Sequence, residues 1–275
     1  MTVARAPLHG VGIGLRRELA QELLATSRHV DWVEVVSENY AGVAGRARDV
    51  VMRARDRWPV VPHGVALSVG TTPPPGYLDA LDDLVARVDP PFVSDHLCYA
   101  SVGEHAFLDL LPLPFSKEAA SVAAANASAA AARLDRPLLL ENVTYYAVMP
   151  GSVMDERAFI RAVIDGSSSN VGVLLDLCNL YVNALNHGED PFAALDAFPL
   201  ARVMQVHLAG HSREGDLLLD THSAPVPAPV WDLYRELVRR IGPVPTLVEW
   251  DQRIPGLDAV LDEADRARAI LERFA

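Results

Sequence analysis

Lysine is almost absent: Lys117 is the only one in 275 residues. Mechanisms that pass through a Schiff base need a lysine amine in the site. Lys117 follows Ser116, a predicted helix N-cap, and reads as a surface residue. Cysteine is scarce as well. Cys98 and Cys178 sit in apolar runs without framework spacing, which excludes a disulfide scaffold or a thiolate zinc ribbon and suits a reducing compartment. Both read as core residues rather than redox groups. No stretch reaches the roughly 18 apolar residues of a membrane span, and the opening MTVARAPLHGVGIGL has no long apolar signal core. A soluble, cytoplasmic protein without a membrane partner is expected. Positive charge is in deficit, with a formal net charge of -12. Such a surface repels phosphate backbones and argues against a nucleic-acid partner.

Half of the residues are hydrophobic, enough for a large core. No low-complexity linker divides the chain, since the proline-rich stretch 71–76 is too short, so one domain over 1–275 is expected. What recurs is a rhythm. Short, nearly continuous apolar runs lie at 10–15, 32–36, 60–65, 92–97, 137–143, 171–177, 202–208 and 246–251. Amphipathic helical patterns fall between them, most clearly at 16–27, 43–56, 76–88, 116–134, 154–165, 228–241 and 256–273. Apolar runs of this kind suit parallel strands covered on both faces. Eight strands alternating with helices give a closed barrel or a doubly wound sheet. Gly10, Gly12 and Gly14 alternate without the third-glycine spacing of a dinucleotide fold. The predicted class is α/β, a (β/α)8 TIM barrel.

The charged residues favour the barrel for a second reason. Six of the eight runs end in a metal-ligand residue type: His63, His96, Glu141, Asp176, His207 and Glu249. In a parallel barrel those ends meet at one mouth, where active sites of this fold are built. A carboxylate or imidazole at the end of a buried strand needs a partner to offset desolvation, and a cation supplies one. Any one of the six is as easily a hydrogen-bonded strand end; six at equivalent places are not. Asp220-x-His222, placed in a loop after strand seven, aims two more side chains to one side. Asn179, three residues after Asp176, adds an amide oxygen. Mixed imidazole and carboxylate donors suit iron, manganese or zinc, and eight such ligands over-coordinate one ion. Two or three ions are expected, with Glu141 as the bridging carboxylate.

These residues lie in stretches that resemble the multinuclear non-haem iron-dependent oxidases, the family of the methanobactin biosynthesis oxidase. The matching stretches are HGVALSVG (63–70), SDHLCY (94–99), LLLENV (138–143), LLDLCNLYVNALNHG (174–188), HLAGH (207–211), DTHSAPV (220–226) and LVEWD (247–251). The resemblance implies a barrel similar to xylose isomerase and endonuclease IV. It implies one iron site near His63, His96 and Glu141, a second near Glu141, Asp176, His207 and Glu249, and a third near Asn179, Asp220 and His222. Where endonuclease-type barrels carry a histidine this chain has Asn179, a weaker ligand, so the third site is expected to be the most labile.

The implied activity is oxidative modification of a ribosomally made precursor peptide, at cysteine, by mixed-valent iron and molecular oxygen. Heterocycle formation or carbon excision are the expected outcomes. A separate leader-peptide-binding partner protein is implied, because no length is left over for such a module. His211, Asn142 and Asn183 are candidate catalytic residues that contact substrate or orient ligands, with His187 beside them. Asp95 reads as structural, whereas Glu34, Glu38 and Asn39 read as polarity on the substrate side. The competing expectations are a zinc- or manganese-dependent phosphodiesterase or sugar isomerase on the same barrel, and a metal-binding scaffold without turnover.

Overall fold

The computed structural model describes residues 8–102 and 105–275. The expected domain of 1–275 and the start of the N-terminal stretch include residues 1–7 and 103–104, which lie outside the described residues. Eight parallel strands close a barrel in sequence order: Val11–Gly14, Trp32–Val36, Val60–Gly64, Val93–His96, Leu138–Glu141, Val171–Asp176, Val203–Leu208 and Thr246–Val248, the last pairing with the first. Each falls within its predicted run.

Side chains alternate along a strand, and here that period stacks two layers inside the barrel. The lower layer is an apolar plug of Trp32, Val61, Phe92, Leu139, Leu174, Met204 and Leu247, closed by Leu8. Two residues further along the same strands stand Glu34, His63, Ser94, Glu141, Asp176 and Glu249, all buried. The seventh strand reaches this pattern through a register shift. Val173 pairs with Val203 but Leu174 pairs with Gln205, so Met204 is the extra residue. The shift lets Met204 join the plug while Gln205 and His207 both occupy the polar layer.

Helices cover the outside, and their ends follow ordinary capping chemistry. Ser116 Oγ accepts from the Ala119 amide at 3.2 Å at the start of Lys117–Leu134. Asp155 Oδ1 accepts from Ala158 at 2.9 Å before Glu156–Gly166. Pro229 stands in the first turn of Ala228–Ile241, where its missing N–H costs no intrahelical bond. The large outer core packs these helices on the strands, with Trp231, Tyr234 and Phe159 fully buried.

Two helices and two hairpins depart from the predicted layout. Leu177–Asn186 begins one residue after its strand, and Pro191–Ala197 follows it. In LLDLCNLYV the apolar strand run passes straight into the helix, so periodicity alone does not separate them. Hairpins Cys98–Val102/His105–Pro112 and Gly210–Glu214/Leu217–Ala224 extend beyond the fourth and seventh strands. Asp220 and His222 therefore lie on a hairpin strand, not in an open loop. No helix among the described residues is long and apolar enough to cross a membrane.

Candidate metal centre

The strand ends bring the predicted donors together above the apolar plug. Glu141 Oε2 lies 3.2 Å from His63 Nε2 and 3.4 Å from His96 Nε2. Its Oε1 lies 3.7 Å from His207 Nδ1, which is 2.9 Å from Glu249 Oε2. On the far side His222 Nε2 approaches Asp220 Oδ1 at 2.7 Å and Asp176 Oδ2 at 3.8 Å. Two groupings of close donor atoms share Glu141: His63, His96, Glu141 on one side, and Glu141, Asp176, His207, Glu249 on the other. A further grouping joins Asp176, His222 and Cys178.

Local structure explains why these side chains converge. Gly64 follows His63, and a Cβ there would sit 2.2 Å from Asp95 Oδ2, so only glycine lets Asp95 pack under this loop. Asp95 accepts from the Leu67 amide at 3.2 Å and points away from the mouth, the structural part expected of it. Gly64 O accepts from His96 Nδ1 at 2.9 Å, and Ser94 Oγ lies 2.9 Å from His63 Nδ1, so both rings turn Nε2 inward. Asp176 Oδ1 accepts from the Asn179 amide at 2.6 Å, capping Leu177–Asn186 and leaving Oδ2 for the centre. His222 has φ 42°, a strained left-handed conformation for a non-glycine residue, held where its ring meets the cluster.

The electrostatics are those of a site built for cations. Burial pushes the Glu141 carboxyl well above its usual range and the Asp176 carboxyl up to about 7. Burial works against charging His207, but Glu34, Glu249 and Glu141 outweigh it and raise the ring well above its ordinary value. Glu249 is also buried, yet His207 and His222 hold its carboxyl well below the usual range. Glu141 Oε2, Asp176 Oδ2, His207 Nδ1 and His222 Nε2 are buried with no hydrogen-bond partner among the described residues. Buried polar atoms are ordinarily satisfied. Four unsatisfied donors aimed at one place fit metal ions. Two ligands at right angles, each about 2.1 Å from an ion, stand about 3.0 Å apart. His207 Nδ1 and Glu249 Oε2 stand 2.9 Å apart without hydrogen-bond alignment.

The candidates differ in where they sit. A cavity of about 390 Å³ opens above the cluster, lined by His63, His96, Asn179, Asp220, His222 and Glu249 among others. Asn179 reaches it, but its Oδ1 already accepts from Thr144 Oγ1 at 3.0 Å. His211, Asn142 and Asn183 do not line the cavity. His211 packs beside Tyr181 with Nδ1 3.9 Å from Cys178 Sγ. Asn142 ties the fifth strand to the sixth: its Nδ2 donates to Asp176 O at 3.0 Å and its Oδ1 accepts from the Asp176 amide at 2.9 Å. Asn183 accepts from the Tyr145 amide and donates to Val143 O, both at 3.0 Å, shaping the segment that walls the cavity. His187 stacks on Tyr145. The three catalytic candidates thus orient backbone or pack behind the wall.

The substrate-side expectation for Glu34, Glu38 and Asn39 is corrected. Glu34 is buried in the same layer as Glu141 and Glu249, 3.1 Å from His207 Nε2. Glu38 Oε1 accepts from the Val65 and Ala66 amides at 2.9 Å and from Tyr77 at 2.8 Å. Asn39 is exposed away from the cavity. Cys98 is a core residue. Cys178 packs with Val182, Ala209 and Leu218 and also borders the third corner of the site.

Sequence reasoning missed Arg16 and Asp251. Arg16 Nη2 donates to Glu249 Oε1 at 3.0 Å and to Asp251 Oδ1 at 2.5 Å, and Nε donates to Trp250 O at 2.8 Å. Asp251 Oδ2 lies 3.0 Å from His222 Nδ1. The spacing Glu249-x-Asp251 was a readable signal. Arg16 follows a first strand that carries no ligand type, and nothing in its run marked it.

Glu156 is a buried carboxyl near this wall, accepting from Asn183 Nδ2 at 3.1 Å, and burial pushes it up to about 8. Its raised pKa gives stability that is full below about 4.5 and is lost as pH rises through 8. The chain should therefore lose on the order of 3–5 kcal/mol between pH 5 and 9 from this group. Glu156→Gln should remove that loss, read by urea unfolding at both pH values; parallel pH profiles for the two proteins would contradict it.

A family model described as RiPP precursor modification enzyme MbnB/TglH/ChrH matches residues 10–272. A UPF0276 protein of Anaeromyxobacter sp. strain Fw109-5 is 45% identical over 265 residues, covering 96% of this chain and 93% of that protein. One from Caulobacter vibrioides strain NA1000 is 45% identical over 266 residues, covering 96% and 94%. Among solved structures, a sugar phosphate isomerase/epimerase from Parabacteroides distasonis superposes with TM-score 0.61 at 12% identity, covering 95% of this chain and 96% of that one. A putative xylose isomerase from Rhodospirillum rubrum gives TM-score 0.61 at 12% identity, covering 97% and 99%. At that identity the likeness is of fold: a xylose isomerase-like barrel.

Proposed function

The chain belongs to the RiPP precursor modification enzymes of the MbnB/TglH/ChrH family, and on that premise we propose that it is an iron- and oxygen-dependent oxidase of a precursor-peptide cysteine. The observation that carries this is the set of buried, unsatisfied donor atoms at the floor of an open cavity. His63, His96 and Glu141 would hold one iron, and Glu141, Asp176, His207 and Glu249 a second. Asp220 and His222, with Asn179 beside them, form the weakest corner, because the Asn179 oxygen is already engaged by Thr144. The ions, when bound, supply redox equivalents, Lewis acidity toward a thiol and reactivity toward dioxygen.

The protein's own groups do the rest. Glu141 ties the two corners together through its two oxygens. Arg16 neutralises Glu249 and Asp251 at the lip, so the donor set does not repel itself open. The hairpin strand ending at Pro112 and the segment 143–146 wall the cavity and leave room for a side chain of an extended peptide, not for a folded domain. The Asp220 amide donates to Tyr146 Oη at 3.0 Å, joining the second hairpin to that wall. A separate leader-binding protein that presents the precursor, and a cytoplasmic setting, complete the reading, with 1–275 acting as one domain.

Anaerobic purification with metal analysis, followed by incubation with a cysteine-containing precursor peptide and oxygen, tests it. We expect two or more irons per chain and an oxygen-dependent mass change in the peptide. Zinc alone, with no activity after iron reconstitution, would sink the oxidase reading. Iron without any mass change would favour a scaffold.

A further inference from the structure

Four imidazoles surround the centre, and each has its outer nitrogen held from behind. His63 and His96 are held at Nδ1 by Ser94 Oγ and Gly64 O, and His222 at Nδ1 by Asp251 Oδ2. All three present Nε2 to the carboxylates of the site. His207 is turned the other way. Its Nδ1 faces Glu249 at 2.9 Å, and its Nε2 points to Glu34 Oε2 at 3.1 Å. The same Glu34 oxygen accepts from Gln205 Nε2 at 2.8 Å.

We propose that Glu34, steered by Gln205, is a positioning residue that fixes His207 in its Nε2–H tautomer, so that His207 alone of the four binds metal through Nδ1. The inference rests on the metal centre proposed above and goes beyond its ligand set. Sequence alternation places the parts: Gln205 is two residues before His207 on one face of the seventh strand, and Glu34 points inward from the second. All three are buried above the apolar plug.

The opposite tautomer has one argument in its favour. Gln205 Nε2 lies 2.9 Å from His207 Nε2, and an amide nitrogen only donates, so the ring nitrogen would accept from it. Nδ1 would then carry the hydrogen and face Glu249 Oε2. That pair is not aligned as a hydrogen bond, and Nδ1 has no partner among the described residues. Nε2–H donating to a carboxylate satisfies the ring and leaves a lone pair on Nδ1, the arrangement in which an anion behind a ligating histidine raises its basicity. The remaining Glu34 oxygen has no hydrogen-bond partner among the described residues, so the carboxylate's charge would be offset by cations held in the cluster, the neutral ring contributing only its hydrogen bond.

The zinc form of the full chain, labelled with 15N-histidine, tests this without turnover. NMR should show one metal-bound ring ligated through Nδ1 with a slowly exchanging Nε2 proton, missing in His207→Gln. Competition with a chelator should give a zinc affinity about 10–100-fold weaker in Glu34→Gln, with the circular dichroism of the metal-free protein unchanged. Gln205→Met, which keeps the carboxylate, should lose affinity less, and serves where Glu34→Gln does not fold. Ligation of His207 through Nε2, or an affinity of Glu34→Gln within twofold of wild type, would overturn the inference and leave the metal centre standing. Failure of the wild-type chain to take up metal would overturn both.

Discussion

Glu141→Gln is expected to lose at least one metal ion per chain and to lower precursor-peptide modification by at least about a thousandfold, roughly 4 kcal/mol of barrier. The size follows from position. One carboxylate serves both corners, with Oε2 at 3.2 and 3.4 Å from His63 and His96 and Oε1 at 3.7 Å from His207. A glutamine of the same shape keeps one oxygen and turns the other into an amide that cannot ligate. The charge goes as well, so cations held on either side of this residue would lose the anion that offsets their repulsion. The metal-free variant should be no less stable than the metal-free parent. Burial already pushes the Glu141 carboxyl well above its usual range, and a neutral amide is spared that penalty. Metal content by atomic emission, melting after chelation and turnover separate the effects. Full metal content with normal turnover would remove Glu141 from the bridging role.

Much of this site was legible because alternation and strand ends are simple rules. Leu139 with Glu141, Leu174 with Asp176 and Leu247 with Glu249 each place an apolar plug residue two positions before a donor, and that pairing is visible in the chain. The rule carries the barrel, its eight strands and the converging donors. It fails where a residue's partner is distant in sequence. Glu34 looked like substrate-side polarity, yet it stands in the buried donor layer, where its contact with His207 depends on the barrel bringing the second and seventh strands face to face. Arg16 is more than 230 residues from Glu249, and only the pairing of the first and last strands makes them neighbours. His211 stands four residues after His207, but a hairpin begins between them and carries it to Tyr181. Local pattern shows which residue types stand at strand ends; closure decides which of them touch.

Removing the ions should lower the melting temperature by about 10–20 °C, and restoring them should recover it. Each ion held at a hundred times its Kd contributes about 2.7 kcal/mol, and for a chain of this length each kcal/mol moves the midpoint by about 2–4 °C. The structure supplies the reason for so large a coupling. Glu34, Glu141, Asp176 and Glu249 are 4% exposed or less, and they face one another across His63, His207 and His222. Without cations this layer must take up protons or bear unpaired buried charge, which is costly either way. Arg16 is too far to the side to replace the ions, since its guanidinium reaches only Glu249 and Asp251 within the cluster. The apolar plug beneath does not depend on metal, so the barrel should stay folded after chelation while its mouth loosens. Hydrogen exchange should then speed up first in the segment 143–146 and in the hairpin strand Leu217–Ala224, whose contacts run through the cluster. Proton uptake on chelation at pH 7, followed with an indicator dye, should accompany the loss. Verified metal removal with an unchanged midpoint and no proton uptake would mean that the donor layer is balanced by the chain alone, and the buried cluster would lose its claim to be a metal centre.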